Sequence, residues 1–154
     1  MDGVLLNCIK VSGNNVEYHF KVTGKLCPYF TTNVMYINYE ESVENIPESI
    51  LAIPFVASII PLMWVTNTVM WVKELDLTFY NSLHRIRDAY QRLYSHYPLK
   101  GNIIPANFID NKLETNREAL LLFSGGLDAN STYVRHHDKN PLLFNIQGWY
   151  KTPS

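Results

Sequence analysis

A strand-length apolar run that ends in glycine is the feature that most constrains how this chain folds. The run occupies residues 119–123, and a second apolar run occupies residues 141–146. The residues directly after the first run are Ser124, Gly125, Gly126, Leu127, Asp128 and Ala129. Residues 127–136 can form a helix between the two runs. This order predicts a β-turn-α-β unit, whose two strands pair in parallel.

Residues 124–129, called the glycine turn below, have the composition of a phosphate-binding turn. Glycines after a strand let the backbone turn sharply and approach a ligand closely. Successive N–H groups then point into one concavity, and the following helix adds unpaired N–H groups and the positive end of its dipole. Ser124 can add a hydroxyl donor. Asp128 would repel phosphate unless it holds Mg²⁺ beside it.

The glycine turn resembles the pyrophosphate-binding loop of the N-type ATP pyrophosphatase (PP-loop) superfamily. It lacks the Walker A pattern, the dinucleotide fingerprint and the nucleophile elbow. The superfamily signature is Ser-Gly-Gly-x-Asp-Ser after the first strand of the domain. Ser124, Gly125, Gly126 and Asp128 match it, and Ala129 stands where the signature has Ser. The Ala form is similar to that of muropeptide glutamate epimerase-like proteins, and 7-cyano-7-deazaguanine synthase-like proteins belong to the same superfamily.

The resemblance implies an activity and a set of binding residues. Members use ATP and Mg²⁺ to adenylate a substrate oxygen with release of pyrophosphate, so it implies both as cofactors and a small-molecule substrate that it does not identify. It places the ATP phosphates on residues 124–129 and the Mg²⁺ on Asp128 through ATP. It places the adenine near the end of the second strand, at Ile146, Gln147 and Gly148. No catalytic residue is assigned.

The polar run at residues 110–118 predicts a domain boundary. We expect an α+β domain over residues 1–112, and over residues 113–154 the opening β-α-β unit of an α/β domain like the adenine nucleotide alpha hydrolases. Two strands leave apolar faces uncovered. We therefore expect a truncated N-terminal part of such an enzyme, inactive by itself and able to self-associate through its incomplete sheet. The alternative is a non-enzymatic recognition or assembly module with a vestigial nucleotide loop.

Local patterns predict the elements of the N-terminal domain. Two β-rich runs joined by an Asn/Gly connection predict a hairpin. Apolar residues that recur every three or four positions predict an amphipathic helix, with Asp76 as its N-cap. The predicted strands are 4–11, 16–23, 33–39, 69–72 and 103–109, the last interrupted by Pro105, and the predicted amphipathic helix is 76–97.

Residues 49–72 carry no charged side chain and are long enough to span a bilayer. Pro54 and Pro61 argue against a span, as does the polar cluster at residues 66–68. No Lys/Arg cluster flanks the segment to orient it. A helix that starts at Pro47 should not pass Pro54 undisturbed. We expect a buried core element broken by proline, and membrane insertion is disfavoured.

Composition indicates no nucleic-acid or anionic-membrane partner. The net charge is −1, and the ten tyrosines are scattered rather than arranged in a basic-aromatic stripe. The first residues show no signal-peptide pattern, so we expect a cytoplasmic protein with reduced thiols. The spacing of Cys8 and Cys27 leaves a disulfide between them open, and it does not indicate a metal site.

Overall fold

The structure, a computed structural model, describes residues 2–112 and 119–145. The chain forms two compact units, an N-terminal unit of Met1–Asn111 and a C-terminal unit of Lys112–Ser154. Both combine helices with strands, so the fold class is mixed α+β, as predicted at that level. Cys8 and Cys27 are both free and exposed.

The N-terminal unit is a five-stranded mixed sheet with two helices. The strand order is β3-β2-β1-β4-β5; β1 and β3 pair antiparallel with β2, while β4 pairs parallel with both β1 and β5. The elements are β1 Gly3–Ser12, β2 Asn15–Thr23, β3 Val34–Asn38, α1 Glu48–Thr66, β4 Val69–Asp76, α2 Leu77–Leu93 and β5 Asn102–Ile109. A 3₁₀ helix over Gly24–Tyr29 follows β2.

The predicted hairpin is confirmed as β1 and β2. Ser12 pairs with Asn15 across the turn, and Gly13 adopts a positive φ of 61° that glycine accepts without strain. Inward-facing side chains of β2, among them Val16, Tyr18 and Phe20, are buried against the helical layer. The alternation of buried and exposed residues therefore fixes which face of the sheet meets the core.

α1 is the central core helix, and the prediction of an element broken by proline is wrong. The helix is continuous through Pro54 and Pro61 and buries nine of its residues. Each proline costs about 3 kcal/mol in a helix interior, while each large apolar side chain gains about 1.5–3 kcal/mol on burial. The prolines lie seven residues apart, on a half-buried side of the helix. Burial of the opposite side therefore outweighs the two lost hydrogen bonds.

The same helix passes a length-and-composition test for a membrane span, yet half of its most apolar stretch is buried in the protein. Phe55 stacks on Tyr18 with ring centroids 5.6 Å apart, and the Tyr18 hydroxyl donates to the Leu51 carbonyl at 2.9 Å. These contacts are those of a core helix packed on a sheet.

Two strand predictions need correction. β4 extends to Asp76, beyond the predicted end at Val72, because it continues to pair with β5 as far as Asp76 opposite Ile109. β5 runs continuously through Pro105, which the sequence predicts to interrupt it. Since β5 is an edge strand, the missing N–H of Pro105 leaves its pairing with β4 intact.

Asp76 is the N-cap of α2, as predicted. Its Oδ1 accepts a 2.7 Å hydrogen bond from the Phe79 N–H, and its Oδ2 accepts one of 3.0 Å from the Asn111 side chain. Asn111 also donates to the Ser49 hydroxyl at 2.9 Å. The last residue of the N-terminal unit is thus tied to the starts of both helices. α2 ends at Leu93, earlier than the predicted residue 97.

The C-terminal unit contains the predicted β-turn-α-β arrangement. Its elements are β6 Leu120–Leu122, α3 Leu127–His136, a 3₁₀ turn over His137–Lys139 and β7 Leu142–Phe144. β6 and β7 pair in parallel, with Leu120 opposite Leu142. Much of the apolar surface of this unit is exposed, including Leu120, Leu122, Leu142, Leu143 and Phe144.

Candidate functional site

The glycine turn leaves the carboxyl end of β6 and enters α3. Gly125 has a φ of +78°, a conformation that strains any side-chain-bearing residue. Gly126 returns to an extended backbone, with φ −74° and ψ 172°, and is the N-cap of α3. One glycine is thus required to reverse the chain, and the other stands where the helix begins.

The Asn130 side chain clamps this turn from inside the helix. Its Nδ2 donates to the Gly125 carbonyl at 2.8 Å and to the Gly126 carbonyl at 3.0 Å. The Asn130 backbone N–H donates to the same Gly126 carbonyl at 3.0 Å. Both carbonyls of the two glycines are therefore drawn toward the helix.

This clamp orients the N–H groups that a phosphate would need. The described peptide bonds are all trans, so each N–H points opposite to the carbonyl of the preceding residue. The N–H groups of Gly126 and Leu127 consequently point away from Asn130. The first N–H groups of a helix have no intrahelical partner, and no described side chain caps α3. The turn presents a row of available donors at the positive end of a helix dipole.

Nothing around Gly126 demands a glycine for packing. A Cβ placed there would meet only the Ser124 hydroxyl, at an ordinary 3.6 Å, and its φ is negative. The open space above Gly126 leaves room for a ligand to reach the backbone.

The end of β7 supports the same turn. The Phe123 N–H donates to the Phe144 carbonyl at 2.7 Å, and the Phe123 carbonyl accepts a 2.8 Å hydrogen bond from Asn145 Nδ2. Phe123 also contacts Tyr133 of α3 edge to face, with centroids 6.1 Å apart. The residue before the glycine turn is therefore held from both β7 and α3.

The other residues of the turn differ in exposure. Ser124, Leu127 and Asp128 are exposed, and Ala129 is half-buried. Asp128 lies in the first turn of α3, beside the available N–H groups. Among residues 2–112 and 119–145, no group of three or more His, Cys, Asp or Glu side chains could hold a metal. Asp128 can therefore offer Mg²⁺ one carboxylate, and ligand phosphates and water would have to complete the shell.

Two supporting residues escaped sequence reasoning. Asn130 lies four positions after the N-cap glycine, and Asn145 directly follows the second apolar run. The available signal for Asn145 was a polar residue at the carboxyl end of a parallel strand. Ile146, Gln147 and Gly148, predicted to lie near the adenine, fall outside the described residues.

Comparison with known proteins gives no relative: no protein-family model, no characterised protein and no solved structure matches the chain.

Proposed function

We propose that the C-terminal unit binds the phosphates of ATP–Mg²⁺ through the glycine turn, as the opening part of an ATP pyrophosphatase-like site in an adenine nucleotide alpha hydrolase-like domain. The observation that carries this proposal is the Asn130 clamp, which turns both glycine carbonyls toward the helix and the neighbouring N–H groups outward. Phosphate oxygens are the acceptors that such a row of N–H groups suits best.

Asp128 gives the proposed site its dependence on a cation. Its carboxylate beside the N–H row would repel a bare triphosphate, and Mg²⁺ removes this repulsion by binding both. Ser124, exposed at the start of the turn, supplies a further hydroxyl donor. The proposed ligand is therefore the ATP–Mg²⁺ complex rather than ATP alone.

For an ATP pyrophosphatase-like enzyme that contains this unit, the proposed reaction is adenylation of an oxygen atom of a small-molecule substrate with release of pyrophosphate. The glycine turn would hold the pyrophosphate as it leaves, because its row of N–H donors suits phosphate oxygens. In an open α/β sheet the rest of such a site is built at the ends of neighbouring strands. The described sheet of this unit has two strands, so we propose binding without turnover for this chain, in the cytoplasm.

Calorimetric titration of the full chain with ATP–Mg²⁺ tests this proposal. We expect binding that Asp128→Ala weakens at least tenfold and that excess EDTA abolishes. Asp138→Ala is the matched control, because Asp138 is an exposed carboxylate of the same unit in the 3₁₀ turn after α3. Equal loss in both variants, or binding that is indifferent to both, would reject the site.

The exposed apolar side chains of the C-terminal unit support a second proposal, self-association. Leu120 and Leu122 on β6 are 67% and 60% exposed, and their partners on β7 are about half exposed. Sedimentation velocity over a range of concentrations tests this proposal. We expect Leu122→Lys to shift the chain toward monomer, whereas an unchanged monomer at every concentration would refute it. If the chain self-associates but does not bind ATP–Mg²⁺, the results would favour the alternative hypothesis of a recognition module with a vestigial nucleotide loop.

A further inference from the structure

Three tyrosines and a tryptophan of the N-terminal unit line one cavity of about 330 Å³. The lining residues are Pro61, Trp64, Val65, Tyr90, Tyr94, Tyr97 and Leu99, and the cavity is called the aromatic groove below. Trp64 is 3% exposed and forms the floor, while Tyr90, Tyr94 and Tyr97 are 41%, 44% and 49% exposed. The fold brings these three tyrosines together, although the ten tyrosines are scattered along the sequence. Because α2 ends at Leu93, the chain leaves the helix axis there, and Tyr97 lines the same cavity as Tyr90 and Tyr94.

Hydrogen bonds hold the far wall of the groove in place. Gln91 Nε2 donates to the Tyr97 carbonyl at 2.9 Å, and Gln91 Oε1 accepts from the Leu99 N–H at 3.2 Å. The Lys100 N–H donates to the Trp64 carbonyl at 3.1 Å. Gly101 then passes so close to Met63 that a Cβ would collide with the Met63 carbonyl. The groove is therefore preformed, which lowers the entropy cost of binding.

The rings offer faces to a planar ligand. Tyr90 and Tyr94 lie with centroids 6.2 Å apart and an interplanar angle of 22°, and Trp64 lies 6.1 Å from Tyr90 at 56°. Aromatic rings bind one another in offset-stacked or edge-to-face arrangements. A flat ring entering the groove can make both kinds of contact, stacking on a tyrosine face and meeting Trp64 at an angle.

The charged residues around the groove indicate the charge that a ligand should carry. Arg87 lies one turn before Tyr90 on the same face of α2. It lines an adjoining cavity that shares Trp64 with the groove, and its Nη2 lies 3.5 Å from His84 Nδ1. Lys100 directly follows Leu99. Asp88 is the acidic residue of α2, and its two-residue offset from Tyr90 places it about 200° around the helix. None of the lining residues is acidic. Basic surroundings disfavour a quaternary ammonium ligand, which aromatic cages otherwise suit.

We propose that the aromatic groove binds a small planar aromatic anion, with its ring on the tyrosines and its negative group toward Arg87 and Lys100. The volume lies at the lower end of the range for small-molecule sites, about 300–1,000 Å³, which suits one compact ligand. This site is separate in sequence from the glycine turn and does not depend on its function.

Three naphthalene probes that differ in charge test the proposal by calorimetry on the full chain. They are 2-naphthoate, 2-naphthylmethanol and 2-naphthylmethylammonium. We expect the carboxylate to bind about tenfold more tightly than the alcohol, the gain typical of a charged hydrogen bond, and the ammonium to bind most weakly.

Variants separate stacking from charge. Tyr94→Ala should weaken 2-naphthoate about tenfold through lost stacking, whereas Tyr36→Ala, which removes a 78% exposed tyrosine of β3, should change nothing. Arg87→Gln with Lys100→Gln should lower the affinity for the carboxylate to that for the alcohol and leave the alcohol unaffected. Circular dichroism of each variant verifies that the fold is retained.

The outcomes that overturn the proposal are distinct from failure of the phosphate site. Asp128→Ala should leave 2-naphthoate binding unchanged, since that variant alters only the glycine turn. Ammonium binding as tight as carboxylate binding would contradict the charge assignment. If a proline-rich peptide displaced 2-naphthoate at a concentration below that of 2-naphthoate itself, the groove would be reassigned to polyproline recognition. Absence of heat with all three probes at millimolar concentration would refute the site.

Discussion

The Asn145 side-chain amide donates a 2.8 Å hydrogen bond to the Phe123 carbonyl, which joins the ends of two parallel strands directly below the glycine turn. We expect Asn145→Ala to loosen this junction, because the hydrogen bond contributes about 1 kcal/mol. The Phe123 amide, which donates to Phe144, should then exchange with solvent about fivefold faster. Hydrogen exchange followed by NMR measures this rate. Ser131→Ala on α3 is the control, and equal acceleration in both variants would show that the effect is not specific to the junction.

The two glycines of the turn predict opposite phenotypes. Gly125→Ala should destabilise the C-terminal unit by about 1 kcal/mol, because its φ of +78° is unfavourable for alanine. Gly126→Ala meets no clash and should leave the melting temperature unchanged, yet its Cβ would occupy the space above the N–H row. ATP–Mg²⁺ affinity should therefore fall in Gly126→Ala without a loss of stability. Unaltered affinity in that variant would mean that no ligand approaches this backbone.

The Asp76 cap should be important for the stability of the N-terminal unit. Asp76→Ala removes the N-cap of α2 and one acceptor of Asn111, which we expect to cost about 2 kcal/mol in the free energy of unfolding. Urea denaturation measures this loss. Asp88→Ala, at an exposed position of the same helix, should stay within about 0.5 kcal/mol of the wild type. Comparable losses would show that general helix charge, and not the cap, is responsible.

Tyr18 should make stability depend on pH in the alkaline range. Burial raises the pKa of its hydroxyl far above the usual value, and nearby Tyr39 raises it further. An acid with a raised folded-state pKa contributes stability that is complete below its unfolded pKa, about 10, and declines as the pH rises above it. At neutral pH, Tyr18→Phe should lower the free energy of unfolding by about 1 kcal/mol, because it removes the hydrogen bond to the Leu51 carbonyl. Above pH 10 the wild type should lose about 1.4 kcal/mol per pH unit relative to Tyr18→Phe, so the difference vanishes within about one pH unit and then reverses. Parallel curves of unfolding free energy would refute this role.

Elements set by local chemistry could be predicted from the sequence. The β1–β2 hairpin follows from an Asn/Gly turn between alternating runs, and the start of α2 follows from Asp76. The β6-turn-α3-β7 order follows from the glycine turn and two apolar runs. In each of these cases the residues that decide an element lie within it or directly beside it.

Features set by distant contacts could not be predicted. Burial of α1 against the sheet overrides Pro54 and Pro61, and the edge position of β5 accommodates Pro105. The Asn130 and Asn145 hydrogen bonds require the turn geometry before their partners are defined. The tyrosines meet Trp64 only once α1 and α2 pack together. Sequence patterns carry no record of these pairings.

The most direct test of the central claim is an NMR titration of the ¹⁵N-labelled full chain with ATP–Mg²⁺. We predict saturable shifts of the Gly126, Leu127 and Asp128 amides, with smaller shifts at the Asn130 side chain and none on β3. Asp128→Ala should require at least tenfold more ATP–Mg²⁺ for the same shifts. Unmoved glycine-turn amides at millimolar ATP–Mg²⁺, or shifts confined to the aromatic groove, would contradict the claim.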